Sequence, residues 1–168
     1  MEFSFHEKLI AKVSLSSIRK FVLKISSKRI FSIMTAEIVY TGELHNEMIH
    51  TLSGTQVHTD APPDNQGKGE AFSPTDLVAA ATGACALTTI GIAARNQGFN
   101  IDGAKVEVTK IMASNPRRIS EIHLRYDFPK NNYTDQQKRV IEYTAWNCPV
   151  MLSIHPDIKK EVVINYGL

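Results

Sequence analysis

Eighteen consecutive residues, Leu77 to Ala94, carry no charge. A run of this kind cannot face water along its whole length, so it limits the fold more than any other feature of the chain. It holds only five large aliphatic residues (Leu77, Val78, Leu87, Ile90 and Ile92) among many Ala, Gly and Thr. That composition predicts a helix buried on most sides of a packed core, not a membrane span. The helix is well punctuated. Ser73 stands as N-cap, Pro74 takes the favoured first position, and Asp76 falls at the third position of a capping box. Arg95 sits in the last turn and Gly98 follows as the C-terminal stop. The small side chains of Ala79, Ala80, Ala81, Gly83 and Ala84 would let a second helix approach closely.

The 168 residues suffice for one ordinary domain with a real core, and 43% hydrophobic with 21% charged residues is a globular balance. Charge is divided unevenly. Of 19 Lys/Arg and 17 Asp/Glu, residues 1–33 hold seven basic and two acidic, net +5; the remainder holds 12 and 15, net −3. A mildly acidic body speaks against nucleic acid as a partner. Residues 1–33 contain no Gly or Pro and break their apolar runs with lysines, as in Phe21-Val22-Leu23-Lys24-Ile25. Neither the apolar core nor the cleavage site of a secretory signal is present. This segment reads as a basic, poorly ordered N-terminal extension, with the folded domain spanning 34–168. Two cysteines and no export signal point to a reducing, cytoplasmic setting, where a disulfide is transient and catalytic rather than structural.

From Met34 to about Thr59 the pattern predicts two or three antiparallel strands with turns at Gly42 and Ser53-Gly54. Thr59 to Phe72 is a loop, and its Gly67-Lys68-Gly69 lacks P-loop spacing; a solvated connection or a rim over the site fits better. After the central helix, Val106 and Val108 alternate with polar neighbours, and Asn115-Pro116-Arg117-Arg118 makes a turn. A clean period of two follows: Ile122, Leu124, Tyr126 and Phe128 inward, Glu121, His123, Arg125 and Asp127 outward. A second helix opens at Thr134, with Gln137 completing a capping box, and runs to about Asn147. Ile141, Ala145 and Cys148 share one of its faces. Pro149 stops it or restarts a short helix, and a last strand spans about Glu161 to Tyr166. Trp146 is expected in the core or at an interface.

The chemistry centres on the two cysteines. Cys85 lies mid-way along the uncharged helix, and Cys148 stands 63 positions later, directly before Pro149. Two internal thiols so far apart in sequence suit a peroxidatic and resolving pair that meets only in the folded state. Their environments pull against one assignment of roles. A mid-helix cysteine in apolar surroundings should have a raised pKa and be inert, whereas Cys148, at a helix N-terminus, is better placed to be acidified. None of the six histidines stands at ligand spacing with another histidine or with a cysteine, so no metal is expected. No cofactor signature is present.

The run from Thr59 through Ser73-Pro74-Thr75-Asp76-Leu77 to Cys85, together with Ala145-Trp146-Asn147-Cys148-Pro149-Val150, resembles the OsmC/Ohr family of bacterial thiol-dependent hydroperoxidases. The order of elements is similar over Met34 to Leu168, and closer to the broad OsmC-like branch than to the organic-hydroperoxide-resistance branch proper. The resemblance implies an α+β fold with antiparallel sheets wrapped around long central helices, in an intertwined homodimer. It implies that Cys85 attacks an organic hydroperoxide, that Cys148 resolves the sulfenic acid as a disulfide, and that an external dithiol reductant restores the thiols. In the hydroperoxide-resistance branch an arginine of the N-terminal hairpin, held by a glutamate before the first helix, supports the thiolate. Here the hairpin Tyr40–Asn46 contains no arginine; His45 is the nearest substitute, with Arg117 or Arg118 reaching from elsewhere. Asp76, one position beyond that glutamate, is a candidate catalytic partner as well as a cap. The competing function is a non-enzymatic member of the fold that binds a small apolar ligand or senses oxidant. The absent arginine favours that alternative, and retention of both cysteines favours the peroxidase.

Overall fold

The computed structural model describes residues 34–167; the extension expected over residues 1–33 lies outside the described residues. Residues 38–49 and 56–167 make up one compact unit, which carries the helices, the second sheet and both candidate sites. The described part of the other is residues 34–37 and 50–55, where Thr51 Oγ1 donates to the Met34 carbonyl at 2.6 Å.

Three strands open the fold: β1 (Ala36–Gly42), β2 (His45–His50) and β3 (Gln56–Asp60), in the order β1-β2-β3. Glu43 and Leu44 take positive φ angles of 48° and 67°, as a tight two-residue hairpin turn requires. The β2–β3 pairing is antiparallel and sets His45 directly opposite Asp60. The loop that follows is pinned to its own start, because the Asp60 amide donates to the Phe72 carbonyl at 3.1 Å.

Helix α1 (Pro74–Asn96) begins as its sequence dictates. Ser73 Oγ accepts from the Asp76 amide, and the Asp76 carboxylate accepts from the Ser73 amide at 2.8 Å, the two halves of a capping box. The second sheet has the order β4-β5-β6, built from β4 (Lys105–Ser114), β5 (Arg117–Phe128) and β6 (Lys159–Tyr166). β4 and β5 pair antiparallel, whereas β6 joins β5 in parallel. A parallel partner needs a crossover, which α2 (Asp135–Trp146) and the single-turn α3 (Pro149–Ser153) supply. Thr134 and Gln137 cap α2 reciprocally.

The core lies between α1 and this second sheet, closed by α2 and α3. Ile122, Leu124, Tyr126 and Phe128 line β5's inner face and are buried with Ile90, Ile141, Ala145, Cys148 and Met151. Asp127 departs from the expected outward set. It is buried, because β5 is the central strand and its carboxylate is gathered in by neighbours: Asn165 Nδ2 donates to it at 2.8 Å and Arg125 Nε lies 3.6 Å away. Trp146 is 43% exposed and so is not a core residue of this chain.

Helix α1 packs tightly against the sheet at Gly83. A Cβ there would meet Val108 Cγ2 at 3.0 Å and Val106 Cγ1 at 3.1 Å. Both neighbours are β-branched and have little rotamer freedom to yield. Replacing Gly83 with Val is therefore expected to destabilise the fold by about 1–3 kcal/mol through overpacking. Urea unfolding checks this; an unchanged midpoint would mean that helix and sheet are not in contact there.

Candidate active site

The two cysteines arrive from different elements. Cys85 lies in the middle of α1, three residues beyond Thr82, and is half-buried; Cys148 is the N-cap of α3 and is fully buried. The turn between α2 and α3 folds Cys148 under α1, where its thiol points at the Thr82 carbonyl at 4.0 Å. The Met151 amide donates to Cys148 Sγ at 3.4 Å, the cap bond that fixes the sulfur. The Cys85 thiol is near enough to Cys148 to influence its ionisation. Both thiols are free.

Burial pushes the Cys148 thiol above its ordinary range, the Met151 amide pulls it back, and the neighbouring Cys85 raises it further. The net shift is upward. This corrects the expectation that a helix N-terminus would acidify Cys148. α3 is a single turn, too short to carry much of a dipole, and the desolvation penalty on a thiolate outweighs one amide donor.

Tyr126 completes the group. Its side chain is fully buried, and its hydroxyl has no hydrogen-bond partner among the described residues. Burial raises its pKa far above the ordinary phenol value, and Cys148 and Cys85 raise it further. The phenol stays protonated and holds an unused O–H donor in the core. Its inward position on β5 was legible in the alternation, but its proximity to the thiols required the fold.

Asp76 is placed elsewhere. It lies nine residues before Cys85, a rise of about 13 Å, in the first turn of the same helix. Its carboxylate belongs to the capping box and pairs with Lys110 Nζ at 2.7 Å. Desolvation pushes that carboxyl up, but bonds from Lys110 and Ser73 more than offset it, and the net pKa is lowered. The same ammonium donates to Thr75 Oγ1 at 2.7 Å. Lys110 was not singled out in the sequence, although a signal was there: it continues the inward-facing Val106/Val108 series of β4, where a lysine needs a partner. An open cleft of about 650 Å³ lies here, lined by Phe72, Asp76, Val108 and Lys110 among others and by neither cysteine. Gly69 and Glu70 also line it, so the Gly67–Gly69 loop is a rim to this cleft.

The remaining candidates take other partners. Arg117 pairs with Asp64 of the loop at 3.0 Å, and His45 faces Asp60 and Glu70 at 3.7 and 3.5 Å.

Residues 67–163, which include both cysteines and Asp76, match the OsmC-like protein family. Among curated proteins none matches. A crystal structure from Psychrobacter arcticus 273-4, of a protein named for osmotic-stress induction and a detoxification response, is 48% identical. It aligns over 79% of this chain and 96% of its own, with a TM-score of 0.75. An OsmC-like protein from Mycoplasma pneumoniae is 21% identical over 82% of this chain and 99% of its own, TM-score 0.68. An organic hydroperoxide resistance protein from Legionella pneumophila has the same fold at 16% identity, over 82% of this chain and 99% of its own, TM-score 0.61. With a family match over more than half its length and a relative at 48% identity, this chain belongs to the OsmC-like protein family.

Proposed function

We propose that this protein is a thiol-dependent peroxidase that reduces organic hydroperoxides, with Cys85 as the attacking thiol and Cys148 as the resolving one. The observation that carries this reading is that fully buried Cys148 packs against the Thr82 carbonyl, one turn of α1 from half-buried Cys85, near enough for one thiol to influence the other. The name of the Legionella relative, an organic hydroperoxide resistance protein, points the same way.

The roles follow from access and charge. The sulfur of Cys85 is the more accessible of the two, while Cys148 is closed off and its thiol is pushed upward. A thiolate at Cys85 attacks the terminal peroxide oxygen; the O–O bond breaks and the alkoxide leaves, taking a proton to become the alcohol. Cys85 is now a sulfenic acid. Cys148 attacks that sulfur, the S–O bond breaks, and hydroxide departs as water with the Cys148 proton. An external dithiol reduces the resulting disulfide by exchange. The Tyr126 hydroxyl is sealed in the core without a hydrogen-bond partner among the described residues, so it supplies no charge to a Cys85 thiolate. No arginine stands in the β1–β2 turn to do so.

The same reading assigns a homodimer. α1 has no charge between Leu77 and Ala94, yet Val78 is 42% and Ile92 54% exposed in the single chain. β1 adds exposed Ile38, Val39 and Tyr40, and no residue of β1–β3 joins the main core. A second copy is the natural cover for these faces, and it is expected to complete the surroundings of Cys85. Light scattering at micromolar concentration should report twice the chain mass; a monomer would refute this part of the reading.

The thiol roles are separable. Cys85→Ser should abolish consumption of cumene hydroperoxide with a dithiol reductant, because a serine hydroxyl is no comparable nucleophile near neutral pH. Cys148→Ser should allow one turnover and leave Cys85 as a sulfenic acid that dimedone labels. Label on Cys148 in the Cys85→Ser protein, with activity retained, would reverse the roles. Consumption by neither variant nor the parent chain would favour the ligand-binding alternative, which the missing hairpin arginine supports.

A further inference from the structure

A second cluster of reactive side chains lies away from the thiols, and the peroxidase reading makes no use of it. His45 on β2, Asp60 at the end of β3 and Glu70 in the following loop each present one ligating atom, all within 4.8 Å of one another. His45 Nε2 lies 3.7 Å from Asp60 Oδ1 and 3.5 Å from Glu70 Oε2. Neither distance makes a good hydrogen bond. Asp60 is the informative member. Its side chain is fully buried, and Oδ2 accepts from the Glu70 amide at 2.9 Å. Oδ1, directed at His45, has no hydrogen-bond partner. A buried carboxylate oxygen without a donor calls for a positive charge.

We propose that His45, Asp60 and Glu70 form a binding site for a divalent first-row transition cation of the Zn²⁺ type. Ligand atoms at roughly 2.1 Å from such an ion, spread near the tetrahedral angle, lie about 3.4 Å apart, close to the two separations that His45 makes, 3.7 and 3.5 Å. One imidazole and two carboxylates suit Zn²⁺, Fe²⁺, Co²⁺ or Mn²⁺, whereas Ca²⁺ would want six to eight oxygens. The backbone fixes the geometry. β2–β3 pairing sets His45 opposite Asp60, and the Glu70 amide bond to Asp60 brings the third ligand into place. The outer face is open, with the side chains of His45 28% and Glu70 64% exposed, so water completes the coordination shell.

The bland alternative is an imidazolium held between two carboxylates with no metal. Titrating the reduced full-length protein with Co²⁺ separates the two. We expect one Co²⁺ per chain with weak visible ligand-field bands, and none of the intense near-ultraviolet absorption that thiolate ligation would give. His45→Gln and Asp60→Asn should each weaken that binding more than about tenfold. Zn²⁺ should compete for the site and raise the melting temperature of the parent chain but not of either variant. His45→Gln alters a part-exposed hairpin residue, so it decides the matter even if the buried Asp60 substitution disturbs folding. No binding at millimolar Co²⁺ overturns the proposal. So does binding that carries thiolate absorption, or binding that His45→Gln leaves unchanged.

Discussion

Covering the uncharged helix α1 is the constraint on which the rest of this structure depends. With no charge over 18 residues, α1 has to be packed, and β4, β5, α2 and α3 each take a share of it. Gly83 permits the close approach to Val106 and Val108, and Ile90 and Ala86 are sealed beneath. That packing produces the thiol pair. Cys148 is buried because the α2–α3 turn has to close over the helix, and once it is there its sulfur faces the turn of α1 that leads to Cys85. The proposed thiol chemistry would thus rest on the same contacts that hold the core together.

The same dependence explains what one chain leaves undone. Only six residues of the 23-residue helix are buried: Ala79, Thr82, Gly83, Ala86, Ile90 and Ala94. These follow one face and leave the other, equally uncharged, without cover among the described residues. The three-stranded sheet β1-β2-β3 adds exposed apolar side chains of its own. A dimer would resolve both deficits at once.

Much of this was legible before any coordinates. Both capping boxes, the inward set on β5 and the Ile141/Ala145/Cys148 face follow from local rules of period and hydrogen bonding, and all are found where expected. What was not legible depends on distance in the chain. Asp127 alternates outward but is buried, because a central strand draws partners from both sides. Cys148 was judged by its place at a helix start, whereas its pKa is set first by burial, which a sequence does not state. His45, Asp60 and Glu70 stand 15 and 10 positions apart on separate segments, and no short-range spacing rule connects them. Asp76 was readable as a cap; that its carboxylate also holds a lysine from β4 was not.

The central claim is that Cys85 and Cys148 form one redox unit within a chain. Intact-mass measurement and peptide mapping of the reduced protein, after one equivalent of cumene hydroperoxide, test it most directly. The expected result is a loss of about 2 Da, the two hydrogens given up in disulfide formation, with the Cys85 and Cys148 peptides linked within one chain. Two unmodified thiols after excess hydroperoxide, or a disulfide joining two chains instead, would contradict it.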